Sequence, residues 1–333
     1  MSKTILIIHN DLSDQATTDE LDVLEQVSLV KKALIELGYA VQVLPVSFNL
    51  EKTIREIGEI KPYAVFNLVE TLYNRSEFSF VAPSLLGYLN VPFTGSPLVP
   101  MFLASNKMMT KDELTRHHIR TPGWFPLTDI RRTEYNKKYI LKPVWEEGSL
   151  GLDEDNVFCG SETEKIERFA KLNPRYFFVE EFIEGREFNI SIIGDHNRPQ
   201  VLPLAEMTFL DYPEGKPRIM GYSAKWNEES FEYSHTRRTF AIRDRNRPHI
   251  QQLTEICEQC WNAFGLRGYV RVDFRLDRDN TAYVIDINAN PCLSASGGFV
   301  AASKKAGMTF REAIDRIVAE AVYDHQLYNG KTS

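Results

Sequence analysis

Residues 268–291 read GYVRVDFRLDRDNTAYVIDINANP, two strand-like runs on either side of the polar connection Asp277-Arg278-Asp279-Asn280. In the first run Val270, Val272, Phe274 and Leu276 alternate with Arg271, Asp273 and Arg275. In the second, Tyr283, Ile285 and Ile287 alternate with Val284, Asp286 and Asn288. Successive strand residues point to opposite faces, so each run has an apolar face and a face carrying chemistry. Paired as an antiparallel hairpin with both apolar sets in the core, the runs are expected to bring Arg271, Asp273, Asp286 and Asn288 onto one surface. Two carboxylates and an amide oxygen make a hard, all-oxygen donor set suited to Mg²⁺. An arginine beside them suits phosphate or a developing oxyanion. An ordinary sheet with a solvated outer face reads the same way from the hairpin alone, so the rest of the chain decides.

At 333 residues the chain is long for one core, and two or three domains are expected. Its 43% hydrophobic and 26% charged content is that of an ordinary globular protein. The net charge of −7 argues against a nucleic-acid partner bound through bulk charge. Small phosphorylated ligands need only a few local cations and stay open. No apolar run is long enough to span a bilayer, so no membrane partner is expected. The start, MSKTILIIHND, lacks the pattern of a signal peptide and reads as a first strand, which points to the cytoplasm. Cys257 and Cys260 form a C-x-x-C inside the helical pattern TEICEQCWNAF without a second pair, so they read as buried helix cysteines.

The first hundred residues alternate strand and helix signals, with strands at 5–8, 39–46, 63–69 and 91–94 and helices at 21–37, 50–57 and 83–89. That alternation implies an α/β unit with a parallel sheet covered on both faces. Ligands then sit beyond the carboxyl ends of the strands, where Glu70 is either a site residue or a solvated loop carboxylate. Capping boxes are expected at Ser161/Glu164 and Thr309/Glu312. The irregular polar stretch 211–238 is long enough to be a lid. Domains are expected over 1–105 (Rossmann-like), 106–183 and 184–333, the last α+β in character and carrying the hairpin and the mobile loop.

Two further segments face a nucleotide. The strand YILKP ends in Lys142 before the loop Glu147-Gly148-Ser149-Leu150-Gly151, which is either a phosphate cradle or a tight turn. The run FVEEFIEGREF carries an apolar strand into acidic residues, where carboxylates and exposed backbone can read an adenine amino group and a ribose diol.

In order and spacing, LKPVWEEGSLG, FVEEFIEGREF, GYVRVDFRLD and VIDINANPCLS resemble the ATP-grasp fold, and more closely its D-alanine–D-alanine ligase branch. VPFTGSPLVPMFLASNKMMTK and KKAGMTFREAIDRIV resemble further segments of that branch. The resemblance implies three domains with ATP held between the central and C-terminal ones. It implies that Lys107 and Lys142 contact the phosphates beneath the Ser149 loop, and that Lys225 reaches them from the mobile loop. Glu180 and the backbone of Glu181 to Ile183 would read adenine, and Glu187 would hold the ribose. Asp273, Asp286 and Asn288 would hold two Mg²⁺ ions, with Mn²⁺ able to substitute. Arg271, with a backbone amide near Cys292, would stabilise a tetrahedral intermediate. The implied reaction joins a small-molecule carboxylate to an amine through an acyl phosphate, under a lid that excludes water. The same resemblance suggests a homodimer.

Three departures bear on substrate. The branch's paired serine and tyrosine, which bond each other near the first substrate, fall at Gly148 and Trp226, which are not expected to make that bond. The serine that holds the second substrate's carboxylate falls at Gly297. The glutamate that holds the donor amine has Asp19 or Glu20 as its nearest counterpart, and NLVETLYNRSEF around Glu70 replaces the usual signature. A ligase for acids and amines other than D-alanine is therefore the expected function, with Trp226 suited to a larger or flatter substrate. The alternatives are a D-alanine–D-alanine (or D-lactate) ligase and, in another class, an ATP-binding sensor that does not ligate.

Overall fold

The computed structural model describes residues 3–12, 16–146, 148–196, 198–241 and 247–330, without the side chains of 18, 19, 247 and 328–330. Three sheets organise them. The first is built from β1 (Thr4–Asn10), α1 (Thr18–Glu36), β2 (Ala40–Val46), α2 (Leu50–Ile60) and β3 (Ala64–Leu68), in the order β2-β1-β3 with both pairings parallel. The strand expected at 91–94 is reduced to a single parallel bridge between Val65 and Phe93. After α3 (Val81–Tyr88) and α4 (Leu98–Ser105), Asn106 caps α5 (Lys107–Arg116) by accepting the Met109 amide at 3.0 Å.

The second sheet takes β4 (Trp124–Pro126), β5 (Lys138–Pro143), β6 (Val157–Cys159) and, after α6 (Thr163–Phe169), β7 (Phe177–Glu181), in the order β4-β7-β5-β6 and antiparallel throughout. The capping box expected at Ser161/Glu164 is not formed. Glu162 occupies the N-cap, and its carboxylate accepts the Cys159 amide instead.

The third sheet comprises β8 (Arg186–Asp195), β9 (Arg198–Val201), β10 (Ala205–Phe209) and, beyond α7 (Tyr222–Trp226) and α8 (Phe231–His235), β11 (Thr236–Thr239). It is completed, after α9 (Arg247–Phe264), by β12 (Tyr269–Leu276) and β13 (Ala282–Asn288). The stretch expected to be irregular thus holds two short helices and an edge strand. Cys257 and Cys260 are buried on α9, packed against β12. α10 (Gly298–Lys305) and α11 (Phe310–Gly330) close the chain, and the Thr309/Glu312 capping box forms as expected.

The hairpin departs from strict alternation. Asp273 lies opposite Asp286 but Phe274 lies opposite Val284, so Ile285 is an extra residue in β13. A bulge of this kind reverses which alternate positions face the core. Ala282 and Val284 are buried before it and Ile287 and Ala289 after it, whereas Tyr283 is not a core residue and Ile285 lines the cleft described below. Val284 was expected on the chemical face and Tyr283 and Ile285 on the apolar one. Asp286 and Asn288 follow the bulge and keep their expected face.

One core lies on the third sheet, and another crosses from the first sheet to the third. Met101, Ala104, Leu114 and Ile119 from α4, α5 and the segment after it pack with β8, β12 and α9. Ala313, Ile314, Ile317 and Val318 of the last helix pack with Ile5, Ile7 and Phe66 of the first sheet. No described helix is long and apolar enough to cross a membrane.

Candidate active site

Three neighbouring strands of the third sheet place their polar residues in register. Opposite Arg275, Asp273 and Arg271 on β12 stand Glu187, Asn189 and Ser191 on β8. On the other side Asp286 lies opposite Asp273, and Asn288 opposite Arg271. Charge alternates along β12 from Arg271 to Asp273 to Arg275, while across the hairpin Asp273 meets Asp286, and most members of the face line a cleft shared with Lys107, Lys142 and Glu180. Asn189 was missed at the sequence level, although it continues the alternation from Glu187.

The cations are held by carboxylates. Lys107 Nζ lies 3.3 Å from Asp286 Oδ2. Burial alone would raise Asp286, but the Lys107 charge, then Lys142 and Arg271, hold it below the ordinary carboxylate range. Lys142 Nζ lies 2.7 Å from Glu180 Oε1, and Lys111, one helical turn beyond Lys107, pairs with the other oxygen of Glu180. Burial opposes ionisation of Glu180, and the Lys111 and Lys142 charges overcome it. The Glu180 side chain is thus tied down between two lysines. Lys111 was not singled out from sequence; its i, i+4 relation to Lys107 was the available signal. Arg275 pairs with Glu187 at 2.8 Å, yet burial dominates and Glu187 lies above the usual carboxylate range. Arg271 grips Asp273 with a two-pronged contact, Nε to Oδ1 at 2.8 Å and Nη2 to Oδ2 at 2.9 Å.

The acidic strand end offers fewer free amides than expected. The Glu181 amide bonds Gly123 O at 2.8 Å and the Phe182 amide bonds Lys138 O at 2.9 Å, leaving Ile183 outside these pairings. The Glu181 carboxylate faces outward, 3.2 Å from Lys137.

A second cavity, of about 1770 Å³, shares Glu146, Gly148, Lys225, Arg238, Arg271 and Asn288 with the first, so the two open into each other. Its lining includes the carboxylates Asp22, Glu70 and Glu146 and the guanidiniums of Arg237, Arg238 and Arg271. Gln26 Nε2 donates to Asp22 at 3.0 Å and to Glu70 at 2.9 Å, and Cys292 Sγ lies 3.0 Å from Asp22. Glu20 reaches the cavity edge, but its carboxylate accepts the Thr17 amide at 2.8 Å as part of the α1 cap. Asp22, two residues on, is the better-placed acid; Asp19 lies outside the described side chains.

The lid is latched. Ser149 Oγ donates to Met220 O at 2.6 Å, and the Tyr222 amide bonds Leu152 O at 2.7 Å. Trp226 Nε1 donates to Gly148 O at 2.9 Å. The serine–tyrosine side-chain bond of the branch has no counterpart here, as expected, yet the two positions are joined by another: the glycine contributes its backbone carbonyl and the indole its N–H. Ser149 and Gly148 have φ of 66° and 64°, the left-handed turn that lets the loop fold back under α7. Lys225 lines both cavities and Trp226 the second; burial and the Arg271 charge pull Lys225 down to about 8.

Asp273 and Asp286 face each other, and Asn288 Oδ1 is buried with no hydrogen-bond partner. This oxygen set fits a hard divalent cation. Among the described residues no group of three His, Cys, Asp or Glu gathers for a metal, and the set here is two carboxylates and an amide.

The family model described as D-ala D-ala ligase C-terminus matches residues 132–319. The D-alanine--D-alanine ligase of Carboxydothermus hydrogenoformans is 28% identical over 300 residues, 86% of this chain and 89% of that protein. That of Aquifex aeolicus is 28% identical over 298 residues, covering 87% and 92%. Among solved structures, the D-alanine--D-alanine ligase from Bacillus anthracis complexed with ATP superposes with a TM-score of 0.72 at 16% identity, over 98% of this chain and all of that one.

Proposed function

This chain belongs to the D-alanine–D-alanine ligase family of ATP-grasp enzymes, and we propose that it joins two amino acids, with D-alanine the first substrate to test, through an acyl phosphate made from ATP. At the coarser level it is an ATP-dependent, C–N bond-forming ligase. The observation that carries the finer reading is the pair of connected cavities. Lys107, Lys142 and Lys225 line one, and the other is lined by both carboxylates and guanidiniums, as two zwitterions require.

Lys107, Lys142 and Lys225 neutralise the phosphates, and the carboxylate of the first amino acid attacks the terminal phosphorus. Asp273, Asp286 and Asn288 would hold Mg²⁺, which supplies charge neutralisation at the phosphates; Arg271 must then share Asp273 with it. Asp22 and Glu70 hold the donor ammonium. Arg271 offsets the oxyanion charge when the second amine attacks. The latch of Trp226 and Ser149 on the phosphate loop excludes water, which would otherwise hydrolyse the acyl phosphate.

A redirected substrate was the expectation from Gly148, Trp226 and Gly297. The bond between Trp226 and Gly148 keeps the two positions joined without the serine and tyrosine side chains, and the relatives named above favour D-alanine. Gly297 keeps the second reading open: its added Cβ would stand 2.9 Å from both Cys292 O and Ser294 O, so the serine of the branch has no room here. ADP release from MgATP with D-alanine alone, and mass spectrometry of the product, separates the two. D-alanyl-D-alanine supports the proposal. ADP release only with another acid–amine pair replaces it with the redirected ligase. MgATP binding without turnover of any pair leaves the sensor.

A further inference from the structure

Without a hydroxyl at position 297, the amine substrate's carboxylate needs another receptor, and the chain provides one on the lid. β11 pairs with β10 so that Arg238 stands opposite Met207, and both line the substrate cavity. The neighbouring Arg237 is spent locally, donating from Nη1 to the carbonyls of Tyr233 at 3.1 Å and Thr236 at 3.0 Å. Arg238, on the opposite face of the strand, donates from Nη1 to Ser296 O at 3.1 Å, which anchors it beside Gly297. Its Nε is buried and has no hydrogen-bond partner. A buried guanidinium N–H left unpaired is costly unless a ligand completes it.

The position an added Cβ would take at Gly298 lies 3.8 Å from Arg238 Nη2 and 4.0 Å from Arg271 Nη1. Two guanidiniums of like charge therefore converge on a single open point. Arg271 already neutralises Asp273 through Nε and Nη2. Among the described residues Arg238 has no carboxylate partner, and burial together with the Arg271 charge disfavours its cation. The same point lies at the start of α10, whose first turn contains no acidic side chain and whose N-cap is a glycine, Gly297. All three features favour an anion.

We infer that Arg238 is a specificity-determining residue that binds the carboxylate of the amine substrate, in the gap between its own guanidinium, Arg271 and the start of α10. The site therefore takes an α-amino acid, or another amine with an adjacent carboxylate, and rejects neutral amines. This inference rests on the ligase reading for the name of its ligand, though not for the existence of the anion site.

The test is calorimetric titration of the full chain, loaded with Mg²⁺ and a non-hydrolysable ATP analogue, with D-alanine and D-alaninamide and with other amino acids paired with their amides. The wild type is expected to bind the acids more tightly by about tenfold or more, the size of a hydrogen bond to a charged group. Arg238→Gln should lose most of that preference, with its affinity for the nucleotide analogue measured alongside. Arg238→Lys should keep part of it. Any preference left in Arg238→Gln belongs to the donor carboxylate. An acid-to-amide ratio unchanged in Arg238→Gln, or no acid preference in the wild type with any pair, overturns the inference. If Arg238→Gln fails to bind the analogue, Arg238→Lys decides by the same ratio. Loss of preference in the variants, combined with no ADP release from ATP by the wild type with any pair, would retain the anion site and remove the ligase reading.

Discussion

A single donor atom decides how the lid is held. Trp226 closes onto Gly148 through its indole N–H, and phenylalanine at 226 would keep most of the ring while removing that donor. A neutral hydrogen bond contributes about 1 kcal/mol, so Trp226→Phe should slow amide formation about threefold to tenfold. Because the latch also excludes water, ADP released per amide formed should rise above one; an unchanged ratio and rate would mean that closure does not use this bond. Beside it, Lys225 is pulled down to about 8, by burial first and then by Arg271. Its ammonium is present below that pH and lost as pH rises through it. The kcat/KM for ATP should therefore fall toward about tenfold per pH unit above 8, and Lys225→Arg should move that limb out of range. The stability effect runs the other way. The folded protein binds fewer protons than the unfolded chain between about 8 and the ordinary lysine value, so this residue's contribution to stability rises with pH across that window. A flat profile through pH 8 would contradict the assignment.

At the scale of elements, the bulge at Ile285 is what lets one strand serve two purposes. Deleting Ile285 forces either Val284 out of the core or Asp286 and Asn288 into it. Burying an unpaired carboxylate or exposing buried apolar surface costs about 3 kcal/mol or more. The deletion should fail to fold or lose that much in urea denaturation, whereas Ile285→Ala, which keeps the extra residue, should fold and only weaken nucleotide binding. A folded deletion variant with full activity would show that the bulge is dispensable. The hairpin also marks the limit of what alternation reveals. Both strands and the shared face of Arg271, Asp273, Asp286 and Asn288 were legible, because hydrophobic period 2 is a strong signal. The bulge was not, since neither glycine nor proline marks it. β11 was hidden within a polar stretch because its pairing with β10 is long-range. The contact of Trp226 with Gly148 escaped because its acceptor is a backbone carbonyl, which side-chain comparison cannot weigh. Lys111 and Asn189 were within reach: each repeats the period of a residue already singled out, Lys107 and Glu187.

At the scale of the molecule, the sheets share their cores. α11 supplies Ala313, Ile314, Ile317 and Val318 to the apolar cluster that also holds Ile5, Ile7 and Phe66. A fragment of residues 1–105 should therefore remain largely unfolded by circular dichroism and amide exchange, and adding a peptide covering 298–330 should restore part of its protection. Independent folding of the fragment would mean that α1 and α3 suffice to cover its sheet. The shared core also has a consequence for synthesis on the ribosome. The first strands emerge before roughly seventy residues have been added, but the helix that seals them is among the last segments made. At about 5–20 residues per second, some ten seconds to a minute pass in between. For that interval the face of β1 and β3 that α1 shares with α11 is only partly covered, which makes the nascent chain, rather than the finished enzyme, the stage most in need of chaperone protection.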